Sequence, residues 1–327
     1  MRALVTGGGG FIGSHIVDAL LRDGYDVRVL DNFSTGERRN LLHVAGEIEI
    51  VEGDMRSFER AHSAAKGCDV IFHQAALPSV PRSVADPLTT SEVNITGTLN
   101  VLLAARDADV GRVVYASSSS AYGANPAEVK DESLAVAPMS PYAVAKYAGE
   151  ANCHAFWRVY GLETVAIRYF NVFGPRQSPV SEYAAVIPNF IVAALLDEPV
   201  TIHGDGLQSR DFTYIDNVVQ ANLLAAKAPG VAGEVFNIAM GQTHTLIDLL
   251  GEIERIAGVE VERIHTDGRL GDVRMSLADI TKARERLGYE PTVAFREGLE
   301  RTFEALSQDE SVVPRIREAR QWAALNA

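Results

Sequence analysis

RALVTGGGGFIGSHIVDALLRDGYDVRVLDNFSTG, residues 2–36, decides the fold. Ala3-Leu4-Val5 reads as a short buried strand, and Gly7 to Gly10 strip the following turn of side chains. A helix opens around Phe11, with Ile12, Ile16, Ala19 and Leu20 at helical spacing. Gly8, Gly10 and Gly13 fit the pattern G-x-G-x-x-G. That pattern meets three physical needs: a tight turn, backbone close enough to touch a pyrophosphate, and close packing of helix on strand. The phosphates rest on the unpaired N–H groups of the helix N-terminus. A second strand, Val27 to Leu30, ends in Asp31, which lies 23 residues after Gly8. An acid there accepts hydrogen bonds from the adenosine ribose and repels a 2′-phosphate, so NAD is favoured over NADP. A glycine-rich turn in some other α/β protein would not need that second strand and its acid.

Farther out, Ile48 to Val51 and Val70 to His73 read as the third and fourth strands, and the turn Glu52 to Met55 is placed to reach an adenine. Helical periodicity runs from about Ser91 to Ala108, then a strand from Arg112 to Ala116, a helix from Tyr142 to Tyr160 and a strand from Thr164 to Tyr169. Strands alternating with helices in this way predict a Rossmann-type, doubly wound parallel sheet. After Asn171 the punctuation turns loop-rich, with Gly174-Pro175, Ser178-Pro179 and His203 to Gly206. Helices are expected near 183–196, 216–227, 245–257 and 297–306, with a charged last helix at about 313–325. The reading is a dinucleotide-binding domain over 1–170 and a smaller mixed α/β substrate domain over 171–327. Residues 211–240, with the strand Val235 to Ile238, are expected to rejoin the first domain.

The 327 residues are 47% hydrophobic and 22% charged, the balance of an ordinary globular protein. A net charge of −13 argues against nucleic acid or an anionic membrane as partner. Cys68 and Cys153 make no disulfide framework, and no Cys/His cluster suggests a metal. With no leader read before the first strand, and no apolar run near the roughly 20 residues of a membrane helix, a cytoplasmic location is expected.

Tyr142 and Lys146 stand four apart at the start of a helix and share a face. A tyrosine with its ordinary pKa of ~10 is a poor base at neutral pH. A nearby ammonium, joined by a positive nicotinamide ring, would favour the phenolate. The serine cluster Ser117 to Ser120 falls at the carboxyl end of a parallel strand, where ligands of open sheets bind. His73 reads as a packed strand residue.

Together Gly7 to Gly13, Asp31-Asn32, Asp54, the serine cluster and Tyr142-x-x-x-Lys146 resemble the extended short-chain dehydrogenase/reductases. Arg168-Tyr169-Phe170-Asn171-Val172-Phe173-Gly174-Pro175-Arg176 and Arg210-Asp211-Phe212 extend the resemblance to the NAD-dependent nucleotide-sugar epimerases and dehydratases, over about residues 1 to 300. The resemblance implies NAD held by Gly7, Gly10, Phe11, Ile12, Gly13, Asp31, Asn32, Ser34, Thr35, Gly36, Asp54, Met55, Ala75, Ala76, Tyr142, Lys146 and Tyr169. It implies that Ser118 bonds the sugar O4 beside Tyr142, with Ser119 and Ser120 adjoining and Asn171 on the sugar or its diphosphate. Arg210 and Arg269 would pair with the diphosphate, and Asp272 with the nucleotide ribose. Arginine forks suit phosphate in an otherwise acidic protein.

The activity so implied is 4-epimerisation of a UDP-hexose through a transient 4-keto sugar. In the family a small residue four after the aspartate at 272 leaves room at the sugar's C2; here it is Ser276, which favours the N-acetylated pair. A nucleotide-sugar 4,6-dehydratase would carry an acid pair where Ser119 and Ser120 stand. A UDP-uronic acid epimerase or decarboxylase stays open, and a non-catalytic NAD sensor could dispense with Tyr142 and Lys146. A homodimer is expected through helices 91–108 and 142–160, because Leu99, Val101, Leu102, Leu103, Ala151, Ala155, Phe156 and Trp157 spread apolar surface too widely for one buried face.

Overall fold

The computed structural model describes residues 1–179, 185–268 and 274–316. The apolar runs of the N-terminal half form strands β1 (Arg2–Thr6), β2 (Asp26–Asp31), β3 (Ile48–Glu52), β4 (Val70–His73) and β5 (Arg112–Ser118). Leu4, Val5, Ile71, Phe72, Val113 and Val114 are buried whichever face they point to. A parallel strand covered by helices on both sides requires that pattern. The sheet has seven parallel strands in the order Glu234–Ile238, Glu163–Tyr169, β5, β4, β1, β2, β3. The order reverses between β1 and β4, and the crevice beyond their carboxyl ends is the ligand position of such sheets.

The late strand Glu234–Ile238 pairs with Glu163–Tyr169, and helix Ile215–Lys227 lies against the first helix, α1 (Phe11–Arg22), with Lys227 bonded to Asp23 at 2.9 Å. The chain therefore returns to the seven-stranded sheet after residue 210. It also leaves that sheet early. A four-stranded sheet runs His244–Thr245, Ser209–Arg210, Met275–Ala278, Val129–Lys130, so residues 129–130 join the smaller sheet. Two residues carry no readable period, and their partner comes much later in the chain.

The helix expected over 91–108 is interrupted. Pro87–Ser91 and Thr98–Asp107 are α-helical, and Glu92–Gly97 between them forms a π turn. The buried Asn94 side chain accepts from Leu77 N (2.8 Å) and donates to Leu77 O (3.0 Å), clamping the loop after β4. Gly97 packs where a Cβ would come within 2.8 Å of Met55. The wider turn serves both contacts, a role π turns often have near functional sites. Helix Pro141–Tyr160 is well delimited: the Ser140 hydroxyl accepts from Ala143 N, Pro141 stands in its first turn, and Gly161 ends it in the left-handed conformation. The helix expected near 183–196 is Val186–Leu196, and most of the one expected at 313–325 lies outside the described residues. Among the described residues no helix is long and apolar enough to cross a membrane.

The apolar residues of the two long helices divide differently from expectation. Val101, Leu102 and Phe156 are buried in the chain's own core, and Trp157 packs against Gly233. What remains outside on Pro141–Tyr160 is a stripe of Val144, Tyr147, Ala151, Ala155 and Val159 at helical spacing, with Leu99 and Leu103 half-buried on the neighbouring helix.

Candidate active site

Three glycines shape the first half of the site. Gly7, at φ +71°, runs so close to the chain after β4 that a Cβ would lie 2.7 Å from Ala75 N and Cα. A Cβ on Gly13 would meet Gly7 O at 2.1 Å, so α1 can rest on the turn only without a side chain there. Gly10 is the N-cap of α1, and a Cβ there would meet only Gly7 O, at 3.1 Å. No side chain caps α1 and no acid stands in its first turn, which leaves the amides to an anionic ligand. Phe11 and Ile12 open the helix, and Ile12 reaches the neighbouring cleft. This cradle fits the pyrophosphate of NAD.

Asp31, at the end of β2, is buried. Its two oxygens accept from Gly9 N (2.8 Å) and Phe33 N (2.7 Å). Burial raises its pKa, and these backbone bonds oppose the rise. The carboxylate thus ties down the glycine turn and keeps lone pairs for a ribose. Asn32 bonds Asp54 (3.0 Å) and accepts from Ser34 N, while Asp54 pairs with Arg56, which holds its carboxyl below the usual range. Gly36 packs on the glycine turn, beside Thr35. Met55 is fixed beneath Gly97, and Ala75 and Ala76 follow β4 beside Gly7. His73 is buried between the Thr6 and Thr98 hydroxyls, at 2.7 and 3.0 Å. Burial, aided by Lys146, pushes its pKa down to about 3, so it is neutral.

The second half is a cleft of about 560 Å³ at the carboxyl end of β5. Ser118, Ser119, Ser120, Tyr142, Tyr169, Asn171, Arg210 and Ser276 all line it. They come from far apart in sequence. Parallel pairing of Ser209–Arg210 with Met275–Ala278 puts Arg210 directly opposite Ser276. Asn171, in the left-handed region at φ +33°, donates to Asp211 O at 3.1 Å. Asp211 is buried and accepts from the amides of Met240 (2.9 Å) and Gly241 (3.0 Å), which pins the strand that carries Arg210. Arg269 and Asp272 lie outside the described residues.

Tyr142 lines the cleft and Lys146 is buried one turn further along the same helix, but the ammonium is not the group that acts on the phenol. Lys146 Nζ donates to Ala116 O (2.7 Å) and sits 6.0 Å from the Tyr142 ring centre. Burial raises the Tyr142 pKa, and what opposes it is a hydrogen bond with Ser118 rather than the ammonium. Burial also brings Lys146 down to about 8, partly offset by Glu150 one turn later. Without a further positive charge Tyr142 stays a phenol at neutral pH.

The cleft also contains residues outside the expected site set: Ser79, Val80, Tyr122 and Lys130. Ser79 has a positive φ of 96°, which no local pattern announces. Lys130 depends on a strand pairing that only the fold reveals. Among the described residues no group of three or more His, Cys, Asp or Glu is placed to hold a metal.

The chain is similar to known proteins over most of its length. The chain is 41% identical over 309 residues to the UDP-glucose 4-epimerase of Mycolicibacterium smegmatis, covering 93% of this chain and 98% of that one. The solved UDP-glucose 4-epimerase of Thermotoga maritima, with UDP-glucose, superposes with a TM-score of 0.89 at 39% identity, covering 93% of this chain and 98% of that one. A UDP-N-acetylglucosamine 4-epimerase from Methanobrevibacter ruminantium, in complex with UDP-N-acetylmuramic acid, gives 0.89 at 40% identity, with coverage of 93% and 97%. The family model for NAD dependent epimerases and dehydratases matches residues 3–239, which span the glycine cradle, the serine cluster and the Tyr142–Lys146 pair. By fold, cradle and extent of match, the chain belongs to the NAD dependent epimerase/dehydratase family.

Proposed function

We propose that the protein is a UDP-hexose 4-epimerase with room for an N-acetylated sugar. The observation that carries this reading is the hydrogen bond of Tyr142 with Ser118 in a cleft also lined by Arg210 and Ser276, which pair on neighbouring strands. When bound, NAD supplies a hydride acceptor and donor for the sugar's C4, by way of a transient 4-keto sugar, together with the positive ring charge of its oxidised form. Tyr142 takes the C4 hydroxyl proton and later returns it. Ser118 bonds both Tyr142 and the sugar oxygen, and Lys146 keeps a positive charge near the forming phenolate. Arg210 holds the diphosphate, so the nucleotide end stays fixed while the sugar turns. Ser119 and Ser120 lack the acid–base chemistry of a dehydration, which favours epimerisation over 4,6-dehydration. Assay of the purified protein against a panel of UDP-sugars, with products separated by configuration at C4, tests this. Products lost to dehydration or decarboxylation would refute it.

Ser276 lies beside the diphosphate clamp and carries the small volume that an acetamido group needs. Ser276→Tyr is expected to lower kcat/KM on UDP-N-acetylglucosamine and UDP-N-acetylgalactosamine by at least roughly tenfold, and to spare the UDP-glucose pair. Adding bulk to a filled site costs about 1–3 kcal/mol, which corresponds to that range. Equal losses on both pairs would remove Ser276 as the gate.

A second expectation concerns assembly. The stripe Val144, Tyr147, Ala151, Ala155 and Val159 forms an exposed apolar face on helix Pro141–Tyr160, with half-buried Leu99 and Leu103 on a helix packed against it. We infer that a second copy covers it, giving a dimer by light scattering. Val144→Glu combined with Val159→Glu is expected to shift the mass to a monomer. A native protein that is monomeric at micromolar concentration would defeat this inference.

A further inference from the structure

The geometry points to Lys130 as a contact for a carboxylate carried on the sugar of the substrate, an assignment that rests on the UDP-hexose 4-epimerase reading. Lys130 pairs with Ala278, and Arg210 pairs with Ser276, in one small parallel arrangement of strands. Directly paired residues point to the same side of a sheet, and so do residues two apart on one strand. Ser276 and Ala278 therefore share a face, and Arg210 and Lys130 share it with them. That face lines the cleft, and Lys130 is among its lining residues.

The surroundings of the ammonium call for an anion. Lys130 is only 5% exposed. Its Nζ donates to Asn125 O at 2.6 Å and to Ala127 O, so two of its three donors are used and both acceptors are neutral. Among the described residues no acid forms an ion pair with it, although the chain carries a net charge of −13. Of the acids near it in sequence, Asp131 accepts from Ser133 N (2.8 Å), Glu132 accepts from Asn237 N (2.7 Å), and Glu128 is exposed. Burial lowers the Lys130 pKa, with no acidic neighbour opposing the shift. A buried ammonium on a cleft-lining residue, bonded to two neutral carbonyls, is stabilised most by a ligand that brings the missing charge.

Position separates this contact from the diphosphate. Lys130 stands two strands across and two residues along from Arg210, roughly 10 Å by 7 Å between backbone positions. That exceeds the span of a diphosphate held by Arg210 and reaches past Ser276, where the sugar would lie. A sugar carboxylate is the anion that fits this end.

Calorimetric titration of UDP-glucuronic acid, UDP-glucose and UDP into the NAD-loaded native protein and into Lys130→Met and Lys130→Arg tests the assignment. Native protein is expected to bind the uronate at least tenfold more tightly than UDP-glucose. Lys130→Met should erase that preference while its affinity for UDP stays within a factor of about two to three of native, and Lys130→Arg should retain the preference. No preference in the native protein would overturn the assignment, whether or not Lys130→Met folds. Equal weakening of UDP and both sugars by Lys130→Met would also overturn it, by showing a diphosphate contact or a loop prop. Turnover measured on the same samples separates the two readings: binding preference without any epimerisation would sink the proposed reaction and leave the Lys130 contact standing.

Discussion

Tyr142→Phe is expected to lower kcat by roughly 10³-fold, the middle of the range for loss of a positioned acid–base group. The substitution removes one oxygen and almost no volume, and the ring stays packed at the start of helix Pro141–Tyr160. The cradle formed by Gly7, Gly10 and Gly13 is untouched, so NAD should bind within a few-fold of native affinity. The pH dependence of the native enzyme carries the same logic. In the isolated chain burial raises the Tyr142 pKa, so the phenol is the stable form at neutral pH. Charge brought in with oxidised NAD must then do what Lys146, 6.0 Å from the ring centre, does not do alone. Titrated by absorbance of the tyrosinate, Tyr142 should therefore ionise at lower pH with NAD bound than without it. The signal should vanish in Tyr142→Phe. Turnover persisting in that variant at more than a tenth of native would take Tyr142 out of the mechanism.

The parts legible in the sequence are those whose cause is local. Four glycines between an apolar strand and an amphipathic helix admit one geometry, and the acid at position 31 closes it. The Tyr142–Lys146 spacing places two groups on one helical face whatever else the chain does. Arg210 and Ser276 were legible as residue types, but their adjacency is a product of strand pairing between distant segments. Lys130 was invisible for the same reason: a two-residue strand has no period, and its partner lies almost 150 residues on. The π turn at Glu92–Gly97 has no signature of its own in a stretch whose sequence predicts helix over 91–108, while the reason for the bulge is the buried clamp of Asn94 on Leu77. The apolar residues of the two long helices spread too widely for one buried face, and Val101, Leu102 and Phe156 among them fill the chain's own core. Periodicity reports that a residue is buried and does not say which neighbour buries it.

The same limit applies to Glu150, which sequence reading passed over and which carries the second large expected effect. Glu150 lies one turn after Lys146 and two after Tyr142, with its side chain 3% exposed. It accepts from Arg168 Nε (2.8 Å) and Nη2 (2.7 Å) and from the Ser117 hydroxyl (2.5 Å). The pair thus joins helix Pro141–Tyr160 to the strand ends that carry Ser118 and Tyr169. Arg168 lies against the Tyr122 ring, 4.5 Å from its centre, and is itself 5% exposed. Glu150→Ala leaves that guanidinium buried without its partner, which costs about 3–5 kcal/mol in comparable pairs. Replacing both partners, by Glu150→Leu with Arg168→Met, removes the stranded charge and should cost less than Glu150→Ala alone. Urea unfolding of the three proteins checks this ordering. Glu150→Ala within about 1 kcal/mol of native would mean that water reaches Arg168 and that the pair holds nothing. Activity supplies an independent readout. Glu150 opposes the burial that brings Lys146 down to about 8. Without it Lys146 loses its proton at lower pH, and the alkaline fall of kcat should move downward in whatever Glu150→Ala protein remains folded. A pH profile superimposable on native would confine Glu150 to stability and leave Lys146 charged by other means.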